Sequence, residues 1–354
     1  MTEFLLNRWY MAAWGNEVGE GLFARRLLDL PVLLFRKEDG TVAALHDRCP
    51  HRFAYLSVGL KKGDVVECGY HGLQFDAAGE CVKSPYSDTP PKGARVRSFP
   101  VAERDGLIWF WPGDPALADP AEAPDFSRVQ RLPGRGFIQQ SFHVNANYQL
   151  VVDNLLDISH AGFLHKNTLG RGSDALRDGF LNGQLQPARE GDSIWMRWWM
   201  PNWTGYVNDP AHEGTPVDRW LDIRWDAPGS IRFYIGQTPA GAPREAGNEI
   251  CQLHIQTPET ATSTHYFAGE SRPILRPGDE DDVAREKFLR TVGEIEDFPM
   301  LEGIQQQMGE ADLWSLQPAL LSVDAGSVMA RRFLAKQIAE EREGAGHLSA
   351  TVPA

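Results

Sequence analysis

The sequence predicts an α+β protein of two domains. The N-terminal domain is all-β, and the C-terminal domain combines an antiparallel sheet with long helices. Three observations carry this. Short apolar runs separated by turn residues fill roughly the first 112 positions. A stretch with four prolines in thirteen residues follows, Pro112 to Pro124, which can continue neither a helix nor a central strand. After it, strand-like alternation and helix-like periodicity are mixed.

In order along the chain, Pro31–Phe35, Val42–Leu45, Val65–Val66 and Leu107–Trp111 read as strands, punctuated by Glu38-Asp39-Gly40, Ala78-Gly79-Glu80 and Arg104-Asp105-Gly106. Beyond the connector, Tyr148 to about Leu164 reads as one helix. Strands are expected over Ser193–Trp199, Trp220–Trp225, Ile231–Ile235, Ile250–Thr257 and Ser263–Ala268. Asp279 to about Met308 is helical, interrupted at Pro299, and Val328–Glu343 forms a last amphipathic helix.

Composition narrows the function. Hydrophobic and charged fractions of 42% and 23% are those of an ordinary globular chain. No run approaches the ~18–20 apolar residues of a membrane span. The N-terminus lacks the basic-then-apolar layout of a secretory signal, so a cytoplasmic location is expected. A net charge of −13 speaks against nucleic acid as partner. There are four cysteines, two of them claimed by the motif below, so a disulfide framework is not expected.

That motif is Cys49-Pro50-His51 and Cys68-Gly69-Tyr70-His71, with 16 residues between His51 and Cys68. Each loop offers one thiolate and one imidazole. Zinc accepts such a set but usually groups its cysteines together and its histidines together. A Rieske-type [2Fe–2S] cluster has one iron held by two Cys and the other by two His, which two mixed loops can present. A purely structural cysteine pair is the plain alternative. Pro50, Gly69 and Gly72 supply the tight turns.

A second polar set lies in the helix from Tyr148. Asp153, Asp157 and His160 fall at i, i+4 and i+7 and share one helical face. His165 sits about 140° further round, with Gly162 between to allow distortion. Two His and a carboxylate form the facial triad of non-heme Fe(II) oxygenases, which leaves positions open for O₂ and substrate. A lone helical His is more often structural, and Asp157 could be a salt-bridge partner. Asp153 is expected to be an outer or surface group.

Cys-Pro-His-Arg followed by Cys-Gly-Tyr-His-Gly-Leu-Gln-Phe-Asp, with Asp-x-x-His-x-x-x-x-His later, resembles the Rieske non-heme iron oxygenases. The likeness extends through Asn7–Tyr10, Trp109–Asp114, Pro216–Trp220 and Gln256–Thr260, and fits the aromatic O-demethylase group of vanillate O-demethylase oxygenase subunits and dicamba monooxygenase. It implies a Rieske [2Fe–2S] domain over 1–118, including the Pro-rich connector, and a helix-grip-like iron domain with a curved antiparallel sheet over 119–354. It implies that Cys49, His51, Cys68 and His71 hold the cluster and that His160, His165 and Asp297 hold the mononuclear Fe(II), with Glu294 and Glu296 as rivals to Asp297. It assigns Asp157 to a bridge toward a cluster His of the neighbouring subunit in a head-to-tail homotrimer. His254, Phe233 and Phe288 fall at substrate positions, although a related enzyme has Asn and Trp where this chain has the two Phe. The chain shows no Gly-x-Gly-x-x-Gly fingerprint, so electrons are expected from a separate NAD(P)H-dependent reductase or ferredoxin.

The reaction implied is O₂-dependent O-demethylation of a vanillate-like aromatic methyl ether to a phenol and formaldehyde. The alternatives are hydroxylation or N-demethylation of another aromatic or heterocyclic substrate, and electron transfer without oxygenase activity. The tryptophans Trp195, Trp198, Trp199 and Trp203 are expected in the core or on the sheet surface rather than in a pocket wall.

Overall fold

The computed structural model describes residues 4–129, 135–205, 214–273 and 282–349, the last five of these by backbone alone. The chain divides into two compact units, Phe4–Asp125 with Thr257–Thr260, and Phe126–Gln256 with the chain from Ala261 on.

The first unit contains three small antiparallel sheets. One pairs Tyr10–Trp14 and Val101–Arg104 with Leu107–Phe110, another is built around Leu30–Arg36 and Val42–His46, and the third links Leu60–Lys62, Val65–Glu67, Gln74–Phe75 and Cys81–Lys83. The run Leu30–Arg36 is apolar at nearly every position because both of its faces are buried. Val32 and Leu34 enter a cluster with Tyr10, Ile108 and Phe110. Leu33 and Phe35 enter the one that holds Cys49, Cys68, Val66 and Phe75. The Pro-rich connector is two 3₁₀ turns, Pro115–Leu117 and Pro120–Glu122, each capped by the preceding Asp. Trp9 Nε1 donates to the Asp119 carbonyl and Arg104 Nη1 to that of Ala123, so this unit keeps the chain past residue 118.

The second unit is a seven-stranded sheet in the order Arg135–Val144, Ser263–Pro273, Asn248–Thr260, Ser230–Pro239, Val217–Asp226, Ser193–Trp203, Gln184–Glu190. Its helices are α1 (Tyr148–Leu156), α2 (Ala161–Leu164), α3 (Ala175–Asn182), α4 (Asp282–Thr291), α5 (Phe298–Met308) and α6 (Ala325–Ser349). The five strands expected here exist and run longer than their apolar stretches. In Ser193–Trp203 every second residue is buried from Ile194 to Met200. Helices cover that face: a Cβ on Gly326 of α6 would lie 2.6 Å from Met196, and one on Gly179 of α3 2.3 Å from Trp203. The α+β class holds, although only α6 is long.

Two helical expectations are corrected. Tyr148–Leu164 is not one helix. α1 stops at Asp157, whose φ of −104° and ψ of 74° lie outside the helical region, and a 3₁₀ turn, Ile158–His160, precedes α2. Asp153, Asp157 and His160 therefore do not share a helical face. Asp153 points to Arg331 of α6, Oδ2 to Nη2 2.6 Å, which is the partner a half-buried acid needs. Gly162 is not the distortion point; a Cβ there would lie 2.6 Å from the Arg177 Cα, so its role is close approach of α3. The later interruption precedes Pro299, as a π-helical segment, Val292–Asp297, in which the Phe298 N–H reaches back to the Gly293 carbonyl. Residues 279–281 of this expected helix lie outside the described residues. Among the described residues no helix is long and apolar enough to cross a membrane.

Candidate active site

The two Cys/His loops are near copies of one another. Cys49 N–H donates to the Ala54 carbonyl and Phe53 N–H to the Cys49 carbonyl; Cys68 N–H donates to the Leu73 carbonyl and Gly72 N–H to the Cys68 carbonyl. The closing residue is left-handed in both, Phe53 at φ 62° and Gly72 at φ 71°. The loops also pack backbone on backbone, for a Cβ on Gly59 would lie 2.0 Å from the Glu67 carbonyl oxygen. Cys49 and Cys68 are buried, and the His51 and His71 rings meet edge to face at 4.6 Å. Burial, with the Cys68 thiol beside it, pushes the Cys49 thiol up to about 11. His71 Nδ1 is buried without a hydrogen-bond partner. Two buried thiols and an orphaned ring nitrogen are a donor set that a metal cluster satisfies.

The second set converges in the other unit. His160 Nε2 lies 3.3 Å from His165 Nε2 and 3.3 Å from Asp297 Oδ1, and His165 Nε2 lies 3.2 Å from that same oxygen. Ligand atoms about 2.1 Å from one ion and at right angles to one another sit roughly 3.0 Å apart, so the three atoms fit one face of an octahedron. Each ring is fixed through its other nitrogen. His160 Nδ1 donates to the Asp157 carbonyl at 2.5 Å and His165 Nδ1 to Glu296 Oε2 at 2.7 Å, which leaves the Nε2 atom of each neutral ring as an acceptor. Thr168 Oγ1 donates to the same Glu296 oxygen at 2.6 Å. Burial would raise the Asp297 pKa, but His160 and His165 outweigh it and hold the carboxyl below the usual range. Burial alone would lower His165, and the Asp297 and Glu296 carboxylates outweigh it.

The break at Asp157 is what aims His160. Asp157 Oδ1 accepts from the Ser159 N–H and hydroxyl, starting the 3₁₀ turn, while its carbonyl takes the imidazole. Asp157 thus holds His160 through its backbone carbonyl and not through its carboxylate. α1 is itself pinned to α5, because Asn147 N–H donates to Gln305 Oε1 at 2.8 Å and Asn145 N–H to Glu302 Oε1 at 3.0 Å.

The triad opens into a cavity of about 270 Å³ with largely apolar walls, lined also by Phe233, His254 and Phe288. Phe233 pairs with Gln252 across neighbouring strands, and its ring lies 4.6 Å from that of His254. Burial depresses the His254 pKa to about 4, so its ring is neutral at pH 7.

Residues 144–340 match the vanillate O-demethylase oxygenase C-terminal domain family, and residues 8–100 the Rieske [2Fe–2S] domain family. The chain belongs to the Rieske non-heme iron oxygenases, in the aromatic O-demethylase group. It is 39% identical to the oxygenase component of dicamba O-demethylase from Stenotrophomonas maltophilia over 338 residues, 94% of this chain and 97% of the relative. It is 37% identical to the oxygenase component of chloroacetanilide N-alkylformylase from Rhizorhabdus wittichii, over 96% of this chain and 97% of the relative. A crystal structure of dicamba monooxygenase with non-heme iron and dicamba superposes with a TM-score of 0.77 at 36% identity, over 97% of this chain and 99% of that one.

Within this oxygenase the two rivals of Asp297 are separated. Glu294 is exposed and paired with Arg290 at 2.5 Å, and Glu296 holds the outer nitrogen of His165. Four site residues lie outside the expected set. Asn154 Nδ2 lies 3.3 Å from His160 Nε2 and 3.2 Å from Asp297 Oδ1; its amide in an apolar helix was the available signal. Trp203 lines the cavity, contrary to expectation, whereas Trp198 packs on Phe180 and Trp199 stacks on Trp220. Tyr266 and Gln252 line it too, and alternation along their strands was the signal for both.

Proposed function

We propose that this oxygenase O-demethylates a methoxylated aromatic compound bound in the 270 Å³ cavity, releasing a phenol and formaldehyde. The carrying observation is the His160/His165/Asp297 triad opening into an apolar, ring-sized cavity. Cys49, His51, Cys68 and His71 would hold the cluster, and the triad the iron. When bound, these groups supply one-electron transfer and O₂ activation. Overall, the ether, O₂, two electrons and two protons give the phenol, formaldehyde and water. The methyl carbon is hydroxylated, and the resulting hemiacetal loses formaldehyde to leave the phenol.

The protein's part is binding and orientation. Phe233 and Phe288 line the space an arene would fill, and the cavity's apolar walls exclude water from it. Glu296 and the Asp157 carbonyl keep the two imidazoles turned toward the third ligand. Electrons come from a separate reductase or ferredoxin, and the protein works in the cytoplasm. We read the assembly as a head-to-tail homotrimer in which Asp157 bridges to a cluster His of the next subunit. Exposed apolar side chains on each unit support that reading. Tyr55, Tyr70 and Tyr86 on the cluster unit are each at least 59% exposed, as are Phe163 and Ile295 on the other.

N-dealkylation is the second reading, favoured by the 37%-identical N-alkylformylase. One screen separates the two. The iron-loaded oxygenase is supplied with a surrogate reductase, NADH and methoxylated benzoates in parallel with N-alkyl anilides. Formaldehyde equimolar with phenol from the ethers supports O-demethylation; turnover of the anilides alone overturns it.

A further inference from the structure

Five side chains form a continuous polar row in the cavity wall. Arg285 grips Glu270 with two prongs, Nε to Oε1 at 3.0 Å and Nη2 to Oε2 at 2.8 Å. Glu270 is 1% exposed. Burial would raise its pKa, and Arg285 with Gln252 outweighs that, so Glu270 stays ionised. A carboxylate only accepts hydrogen bonds. The Gln252 atom 2.6 Å from Glu270 Oε2 is therefore its Nε2 amide group, which turns Gln252 Oε1 toward His254. An amide oxygen also only accepts, so His254 Nε2, 3.2 Å away, carries the ring proton. The neutral ring then has a bare Nδ1, and the Tyr266 hydroxyl 2.6 Å from it donates there. The amide orientation and the tautomer are both assigned by the network, starting from the ion pair.

Every proton in this row points away from Tyr266 and toward Glu270. Tyr266 is neutral, since burial raises its pKa above the ordinary value. Its oxygen has lone pairs to offer and no proton. His254 has both nitrogens engaged, so it has no free N–H for a substrate carboxylate.

We infer that Tyr266 is a specificity-determining residue that accepts a hydrogen bond from a phenolic hydroxyl of the substrate, with Arg285, Glu270, Gln252 and His254 as positioning residues that hold its own proton in the opposite direction. The favoured substrates are methoxyphenols. A carboxylate or bare ether oxygen at this wall would meet lone pair against lone pair. The inference rests on the reading that the cavity binds a methoxylated arene, and it has His254, expected at a substrate position, act through Tyr266.

Equilibrium binding by calorimetry tests it without turnover. The probes are 4-hydroxy-3-methoxybenzoate and 3-methoxybenzoate, which differ by the one hydroxyl. The iron-loaded wild type should bind the hydroxylated probe roughly ten- to a hundredfold more tightly. Tyr266→Phe should weaken only that probe, bringing the two within about threefold. Gln252→Met, which cuts the row one residue before His254, should erode the same preference while iron content is retained. Equal affinities in the wild type, or a preference that survives Tyr266→Phe, would overturn the inference. Formaldehyde release from both probes with equal affinities sinks this inference alone. Absence of both binding and formaldehyde sinks the functional reading with it.

Discussion

The two candidate metal sites are built on opposite plans. The four cluster residues fall within 23 positions, Cys49 to His71, on two loops that repeat the same backbone hydrogen bonds. The triad draws His160 and His165 from one end of the unit's sequence and Asp297 from the other, and relies on a broken helix and a π-helical segment to bring them together. A site carried by adjacent hairpins needs only local turns. A site carried by distant helices needs the packing of the whole unit, so its ligands are held by Glu296, Thr168 and Asn154 as well as by their own backbone.

That contrast is sharpest in metal content. Cys68→Ser should abolish the visible absorbance and the two sulfides of the cluster while one iron per chain persists, and Asp297→Ala should do the reverse. Either substitution should remove product formation. Iron and acid-labile sulfide assays on both variants check this; loss of both metals in either would break the independence of the two sites. Stoichiometric zinc without sulfide would overturn the cluster.

A smaller effect is expected at Asp157. Asp157→Asn keeps the backbone carbonyl that orients His160 but loses the charge and one acceptor. The variant should retain both metals and a reducible cluster, and form product more slowly by roughly ten- to a hundredfold. Single turnover of the pre-reduced variant with substrate and O₂ measures it. Cluster reoxidation with product at the wild-type rate would remove Asp157 from the electron path.

The smallest concerns stability. His254 is held near pKa 4 in the folded chain and titrates near 6.5 in the unfolded one, so the unfolded chain takes up the extra proton between those values. Stability therefore falls as pH drops through about 6.5, by about 2 kcal/mol at pH 5. Urea unfolding of wild type and His254→Gln at pH 7 and pH 5 gives the difference. An equal loss in both proteins would show that His254 is not buried neutral.

Legibility in the sequence followed the same division. The strand cores were readable because their residues alternate or are wholly apolar, as in Leu30–Arg36. Gln184–Glu190 was not, since an edge strand with Pro187 and few apolar residues has no buried face to mark it. Cys49, His51, Cys68 and His71 announced a metal by type and spacing alone. His160, His165 and Asp297 came from family resemblance, and helical spacing misled. It assigned Asp153 and Asp157 to one face because nothing in Asp157-Ile158-Ser159 marks a helix end as strongly as Gly or Pro would. Phe53 shows the same gap, a left-handed residue without the glycine that its counterpart Gly72 has; the Arg48 guanidinium lies 4.0 Å over its ring.

The wide turn at Val292–Asp297 has a consequence for how the iron site changes. A π-helical turn holds one residue more than an α-helical one. Deleting a single residue there would restore an ordinary helix and rotate α4 by about 100° relative to α5. The carboxylates that now face His160 and His165 would be exchanged for their neighbours, with no substitution made. Metal binding in this unit is thus written partly in the number of residues, not only in their identity.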